Sequence, residues 1–224
     1  QYGVFVLAGP NARSVLEKIA DADISNESFK WLSMQEIPIG FCPKVRTMRV
    51  NFVGSLGWEL HHPIEYQLQL FEALQEAGAE FEIKNVGMRA MDSMRLEKSY
   101  RLWGTDLNAE NSALEANLQR FIKLNKGEFT GRQALVEQQE QGVPNKFCTI
   151  EIEADDADSF GNEPIIIDGK VVGRGTSGGY GHFIRKSLML GYIESDHANI
   201  GQECQVRLLD KLLPAKIIEK PHLA

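Results

Sequence analysis

Two groupings of residues in this chain carry side chains that could do chemistry. In "NFVGSLGWELHH" (residues 51–62) one carboxylate, Glu59, interrupts an apolar, strand-like run, just after a glycine-rich bend and just before Pro63. Alone, that pattern fits an exposed edge residue as well as an inward-facing ligand group. In "MRAMDSMRLEKSY" (88–100), Arg89, Asp92 and Arg95 fall at i, i+3 and i+6, along one oblique side of a helix. Asp92 can tie to either arginine, leaving the other to offer its fork to a carboxylate. The bland reading is a surface ion pair worth ~0.3 kcal/mol. Against it, Met88, Met91, Met94 and Leu96 spread over other angular positions, so protein should cover much of the helix. Charge there must be paired or must serve a ligand.

Other conspicuous residues carry less. His61 and His62 are adjacent, so on a strand they face opposite sides and do not share a metal. No metal site is expected. Cys42, Cys148 and Cys204 are odd in number and widely separated, which argues against a disulfide framework or zinc knuckle. The glycine-rich "GRGTSGGYGH" (173–182) lacks the pattern of a dinucleotide or phosphate loop and reads as two strands joined by a flexible bend.

The elements that must position Glu59 and the arginines follow from periodicity and turn chemistry. Tyr2 to Ala8 reads as a buried strand, and Gly9-Pro10-Asn11 leads into a helix over 12–19. Residues 23–43 read as irregular, broken by Pro38, Gly40 and Pro43. Alternation predicts a strand over 45–52, a turn through 53–57 and a partner strand over 57–61. Pro63 opens a helix of about 64–77 whose core stripe is Leu68, Phe71 and Leu74, and Phe81 to Ile83 reads as a short strand. Further helices are expected over 88–100, 112–120 and 131–140.

Gly142-Val143-Pro144 marks the expected boundary between residues 1–143 and 144–224. Beyond it, short strands are expected at 147–153, 164–167, 171–177, 187–193, 203–208 and 213–218. The fold class is therefore α+β, with a small antiparallel β-barrel or sandwich as the second domain.

Twenty-four Lys and Arg against 31 Asp and Glu give a net charge of −7, so no broad field attracts nucleic acid or an anionic membrane. Neither is an expected partner. With 43% hydrophobic residues, the 224-residue chain can bury a sizeable core, and no 18-residue apolar run is present. Its first strand is entered without cap or leader, which fits a piece of a longer polypeptide.

"GSLGWELHHP", "GMRAMDSMRLEKSYRLWGTDL", "LEANLQRFIKLNKGEFTGRQAL" and "VVGRGTSGGYGHFIRKSLMLGYI" together resemble the aminomethyltransferase, or glycine-cleavage T-protein (GcvT), superfamily. The second and fourth blocks are especially similar to the folate-binding C-terminal part of dimethylglycine and sarcosine dehydrogenases. The resemblance implies a tetrahydrofolate site in the first domain. Phe52 takes the place of an aromatic beside the pterin, and Glu59 that of the carboxylate that grips the pterin's amidine-like edge. Arg89 matches the arginine facing the folate glutamate, Arg95 is a less favoured candidate, and Trp103 is a packing wall. Glu59 is then expected to be buried but satisfied.

The implied reaction is one-carbon transfer to tetrahydrofolate from an N-methyl or aminomethyl donor, or from its iminium product. Flavin (FAD) belongs only to a separate flavoprotein domain or subunit. The family's catalytic aspartate precedes the segment matched here, so no residue of this chain inherits a catalytic role, and whether the chain alone is an enzyme stays open. The alternatives are a noncatalytic folate-binding or regulatory module and a folate-dependent demethylase or methyltransferase. The resemblance places such a protein in the cytoplasm, or in the mitochondrial matrix of a eukaryote.

Overall fold

The computed structural model describes residues 1–219. The chain forms two compact units, Gln1–Met91 and the residues from Asp92 onward. In the first, β1 (Tyr2–Ala8), β4 (Gly57–Pro63), β3 (Cys42–Met48) and β2 (Met34–Ile39) lie side by side in that order, each pair antiparallel. Helices α1 (Ala12–Glu17) and α2 (Gln67–Gly78) contribute Val15, Leu16, Leu70, Leu74 and Ala77 to one core with Ile37, Val45, Trp58 and Leu60 of the sheet. The period of two along β4 divides its side chains cleanly. Trp58, Leu60 and His62 are buried, while Glu59 and His61 are half-buried on the other face.

Several expectations change here. β1 is an edge strand, and Tyr2, Val4 and Val6 are exposed because these alternate residues lie on the sheet face that the core does not cover. Residues 23–43 are not wholly irregular: they hold β2 and the start of β3. Pro38 is tolerated because β2 is also an edge, and the register shifts between Ile37 and Ile39. β3 ends at Met48 rather than at residue 52. Leu68 is exposed, and the buried positions of α2 are Leu70, Leu74 and Ala77. A short 3₁₀ turn at Ile64–Tyr66 precedes α2 and sets that phase. Ala79–Phe81 is a 3₁₀ turn, and no strand forms over 81–83.

Helix α3 (Met88–Glu97) spans the division between the units. Residues 112–120, expected as a helix, form turns, with one 3₁₀ turn at Gln119–Phe121; α4 (Arg132–Gln141) follows. Six antiparallel strands then close a barrel: β5 (Asn145–Ile152), β6 (Pro164–Ile167), β7 (Lys170–Gly181), β8 (Lys186–Glu194), β9 (Glu203–Leu208) and β10 (Lys211–Ile218). The order around it is β10-β5-β8-β7-β6-β9, with β9 pairing β10. The second unit therefore contains a closed antiparallel barrel, and the chain as a whole is α+β.

The glycine-rich block is one continuous strand, β7, with a register shift between Gly175 and Ser177. Its glycines permit close backbone approach. Across the β7–β8 pair, a Cβ on Gly173 would run into the Tyr192 carbonyl oxygen. Among the described residues no helix is long and apolar enough to cross a membrane.

Candidate functional site

Asn51 shapes the connection between β3 and β4, residues 49–56. Asn51 Oδ1 accepts from the backbone N–H of Val53 at 2.9 Å and of Gly54 at 2.8 Å, and its Nδ2 donates to the Ser55 carbonyl. Gly54 supplies the left-handed turn residue, φ +75°. Phe52 lies half-buried inside this loop. Gly57 follows because β1 passes close: a Cβ there would lie 2.6 Å from the Leu7 carbonyl oxygen.

Glu59 is two residues beyond Gly57. It pairs with Val6 of β1 and Met48 of β3 across the ladder, on the sheet face away from the core. Its Oε2 lies 3.1 Å from Nε2 of His61, which stands on the same face two residues on. The Glu59 side chain is 32% exposed. It is therefore half-buried, whereas the sequence leads one to expect a buried carboxylate. Satisfaction comes from His61, and solvent-side access to the carboxylate remains.

On the core face, Trp58 is fully buried against Phe29. The guanidinium carbons of Arg13 and Arg49 lie 5.2 and 6.0 Å from its ring centre. Both arginines donate to Asn26 Oδ1, and Arg49 also donates to the Phe29 carbonyl at 2.6 Å. Burial first, then the charge of Arg13, holds the Arg49 guanidinium below its ordinary pKa. This arrangement anchors the base of the 49–56 loop through its first residue. Adjacent His62 takes a different partner from His61, bonding Gln67 Oε1 at 2.7 Å.

The two helix arginines have different surroundings. Arg89 lies in the first turn of α3 and is exposed. Arg95 is buried, with Nε 3.2 Å from Asp92 Oδ1 and Nη1 2.8 Å from Asp106 Oδ2. The pairing of Asp92 anticipated from spacing thus goes to Arg95. Trp103 lies in a loop and is 83% exposed. Within the second unit the C-terminal half of α3 also holds the β7–β8 turn. Glu97 Oε1 accepts the Phe183 and Ile184 N–H groups at 2.7 and 3.3 Å, and Ser93 Oγ donates to the Tyr180 carbonyl.

Phe52 and Glu59 therefore share one hairpin, and Arg89 belongs to the same unit, whereas Arg95 and Trp103 belong to the second. Sequence reasoning missed His61 as the partner of Glu59, although i and i+2 on a strand share a face. It also missed Asp106, whose role depends on a contact that no local pattern encodes.

Residues 1–126 match the GCVT N-terminal domain family, and residues 145–223 match the glycine cleavage T-protein C-terminal barrel domain. The chain is 41% identical over 222 residues to human mitochondrial dimethylglycine dehydrogenase, covering 99% of this chain and 26% of that protein. It is 38% identical over 192 residues to mouse mitochondrial sarcosine dehydrogenase, covering 85% of this chain and 21% of that protein. It thus spans about a quarter of the length of these relatives. The crystal structure of glycine cleavage system aminomethyltransferase T from Bartonella henselae superimposes with a TM-score of 0.85 at 23% identity. That match covers 98% of this chain and 59% of the other, and it shows the shared fold. The chain belongs to the GcvT-like aminomethyltransferase family and is related to the dimethylglycine and sarcosine dehydrogenases.

Proposed function

We propose that this chain is the tetrahydrofolate-binding portion of a one-carbon transfer enzyme, accepting a one-carbon unit from an N-methyl or aminomethyl donor. The observation that carries the reading is Glu59: an accessible carboxylate on β4, two residues past the glycine that ends the 49–56 connection, oriented by His61. Such a group fits the amidine-like edge of a pterin, where two parallel N–H donors meet one carboxylate. Phe52, on the same hairpin, is assigned to the flat face of the pterin. Arg89 is assigned to the folate glutamate. Arg95, with Nε and Nη1 already bonded within the second unit, is assigned the positioning of α3 there.

Tetrahydrofolate, when bound, supplies the nucleophilic nitrogens that take up the carbon unit. The protein's own contribution is to grip the pterin, hold its orientation and keep water away from the reacting nitrogens. Oxidation of an N-methyl amine is assigned to a flavoprotein domain or subunit, with FAD, in the manner of the dehydrogenases this chain resembles. The folate-binding part is assigned to residues 1–143 and the barrel to 144–224, supported by the family matches on either side. The mitochondrial relatives support assignment to the matrix in a eukaryote, and a bacterial protein is assigned to the cytoplasm.

Calorimetric titration with tetrahydrofolate under reducing conditions tests the reading. Glu59→Gln removes the charge while keeping the shape, so affinity should fall roughly tenfold to a hundredfold, the weight of one charge-assisted pair. Equal affinity in the two proteins would sink the assignment.

A further inference from the structure

An open cleft of about 370 Å³ lies wholly within the second unit, and none of the residues assigned to folate lines it. Among the described residues four cations line it: Lys98, Arg101, Arg120 and Lys146. They come from three separated stretches of sequence, and none makes an ion pair among the described residues of a protein whose net charge is −7. Glu219 is the one carboxylate among the described residues lining the cleft.

Arg101 is the least satisfied of the four. Its Nε is buried with no hydrogen-bond partner among the described residues. Its guanidinium carbon lies 4.5 Å from the ring centre of Phe147, which is itself buried and packed edge-on against Tyr192. Burial, reinforced by the like charge of Arg120, pulls the Arg101 guanidinium below its ordinary pKa, while Tyr192 and Asp106 oppose that pull. Two guanidinium groups lining one cleft, neither ion-paired among the described residues, form an arrangement that an anion would stabilise. Leu118, Ile200 and Ile218 supply the accessible apolar part of a wall that is otherwise polar.

We propose that this cleft is a binding site for a small organic anion: an acidic group held by Arg101 and Arg120, on an apolar body that lies against Ile200 and Ile218. Lys98 and Lys146 then supply long-range attraction and accommodate a second acidic group. The site is independent of the folate reading and stands whether or not Glu59 grips a pterin.

Carboxylate and phosphate share the required chemistry, so the test uses phthalate and phenyl phosphate, with neutral benzamide as control, titrated calorimetrically into the full chain at low salt. One or both anions should bind, and benzamide should not. Which anion binds more tightly identifies the acidic group. Arg101→Gln should weaken the anion roughly tenfold and Arg120→Gln roughly threefold, as expected for a buried and a more exposed charge partner. Saturating anion should also raise the melting temperature of the unsubstituted protein by mass action, and raise it less in Arg120→Gln. Arg120 is exposed and stacks on Phe121, so that variant keeps the fold and decides between the outcomes if Arg101→Gln does not fold. No binding of either anion at roughly 20 mM, equal binding of benzamide, or anion affinity unchanged in Arg120→Gln would each overturn the proposal.

Discussion

Arg95 Nη1 and Asp106 Oδ2 meet at 2.8 Å in a place where neither residue is exposed by more than 2%. Asp106 also accepts the Leu102 N–H at 2.7 Å and the hydroxyls of Ser177 and Thr176. Its backbone carbonyl takes the Tyr192 hydroxyl at 2.8 Å. Arg95 in turn donates to the Tyr100 carbonyl and to Ser177 Oγ, each at 3.1 Å. One buried pair thus ties α3, the 100–107 segment and strands β7 and β8 together. Within a low-dielectric interior such a pair is tolerable only because the remaining donors and acceptors are also used.

Breaking that pair from one side should be far more damaging than removing it whole. Asp106→Asn leaves a buried guanidinium facing a neutral amide and should cost about 3 kcal/mol or more. Arg95→Met combined with Asp106→Leu should cost less than the sum of the two single substitutions, because no uncompensated charge remains. Urea unfolding of the parent, the two single variants and the double variant gives the coupling directly; additive losses would show that the two residues act separately.

His61 sits beside Glu59 on an open sheet face, with a side chain 31% exposed. Replacing it with alanine should change stability by less than about 1 kcal/mol, as for a surface position outside the core. Tetrahydrofolate affinity should nonetheless fall about threefold to tenfold, because the carboxylate loses the neighbour that fixes its rotamer. His61→Gln should restore part of that loss by keeping a donor near Glu59 Oε2. Calorimetry alongside thermal unfolding separates the two effects, and a loss of affinity that merely tracked a loss of stability would contradict a positioning role.

How much of the fold and the site is legible in the sequence depends on whether the signal is local. The limits of β6 and β9 follow from short apolar or alternating runs bounded by Asp168-Gly169 and Gly201. β2 is hidden because Pro38 is forbidden only in a strand paired on both sides, and edge position is a tertiary fact. β7 reads as two strands joined by a bend because a glycine cluster signals flexibility locally; in the folded chain the missing side chains make room for β8 and Ser159. Glu59 stands out because a lone charge in a hairpin is visible in sequence. Its half-exposed side chain is not, since sequence does not say which sheet face the helices cover. The cluster of Lys98, Arg101, Arg120 and Lys146 leaves no trace, because its members meet only after the barrel has closed.

The buried thiols of the barrel set a limit on alkaline stability. Burial pushes Cys148 and Cys204 from an ordinary value of 9.0 up to about 11, with Lys146 partly opposing the shift at Cys148. Between about pH 9 and 11 the unfolded chain therefore loses these protons while the folded chain keeps them. The unfolded state binds fewer protons, so stability falls as pH rises through that window and is unaffected by these groups below it. Urea midpoints should accordingly decline from about pH 9 upward, and the slope should flatten in Cys148→Ala combined with Cys204→Ala. The comparison is between slopes, because the cavities left by alanine lower stability at every pH. The same protonation keeps both thiols unreactive: in the native protein a thiol-specific disulfide reagent at about pH 8 should label them far more slowly than after unfolding in urea. Equal slopes in the parent and the double variant would show that other groups govern alkaline unfolding.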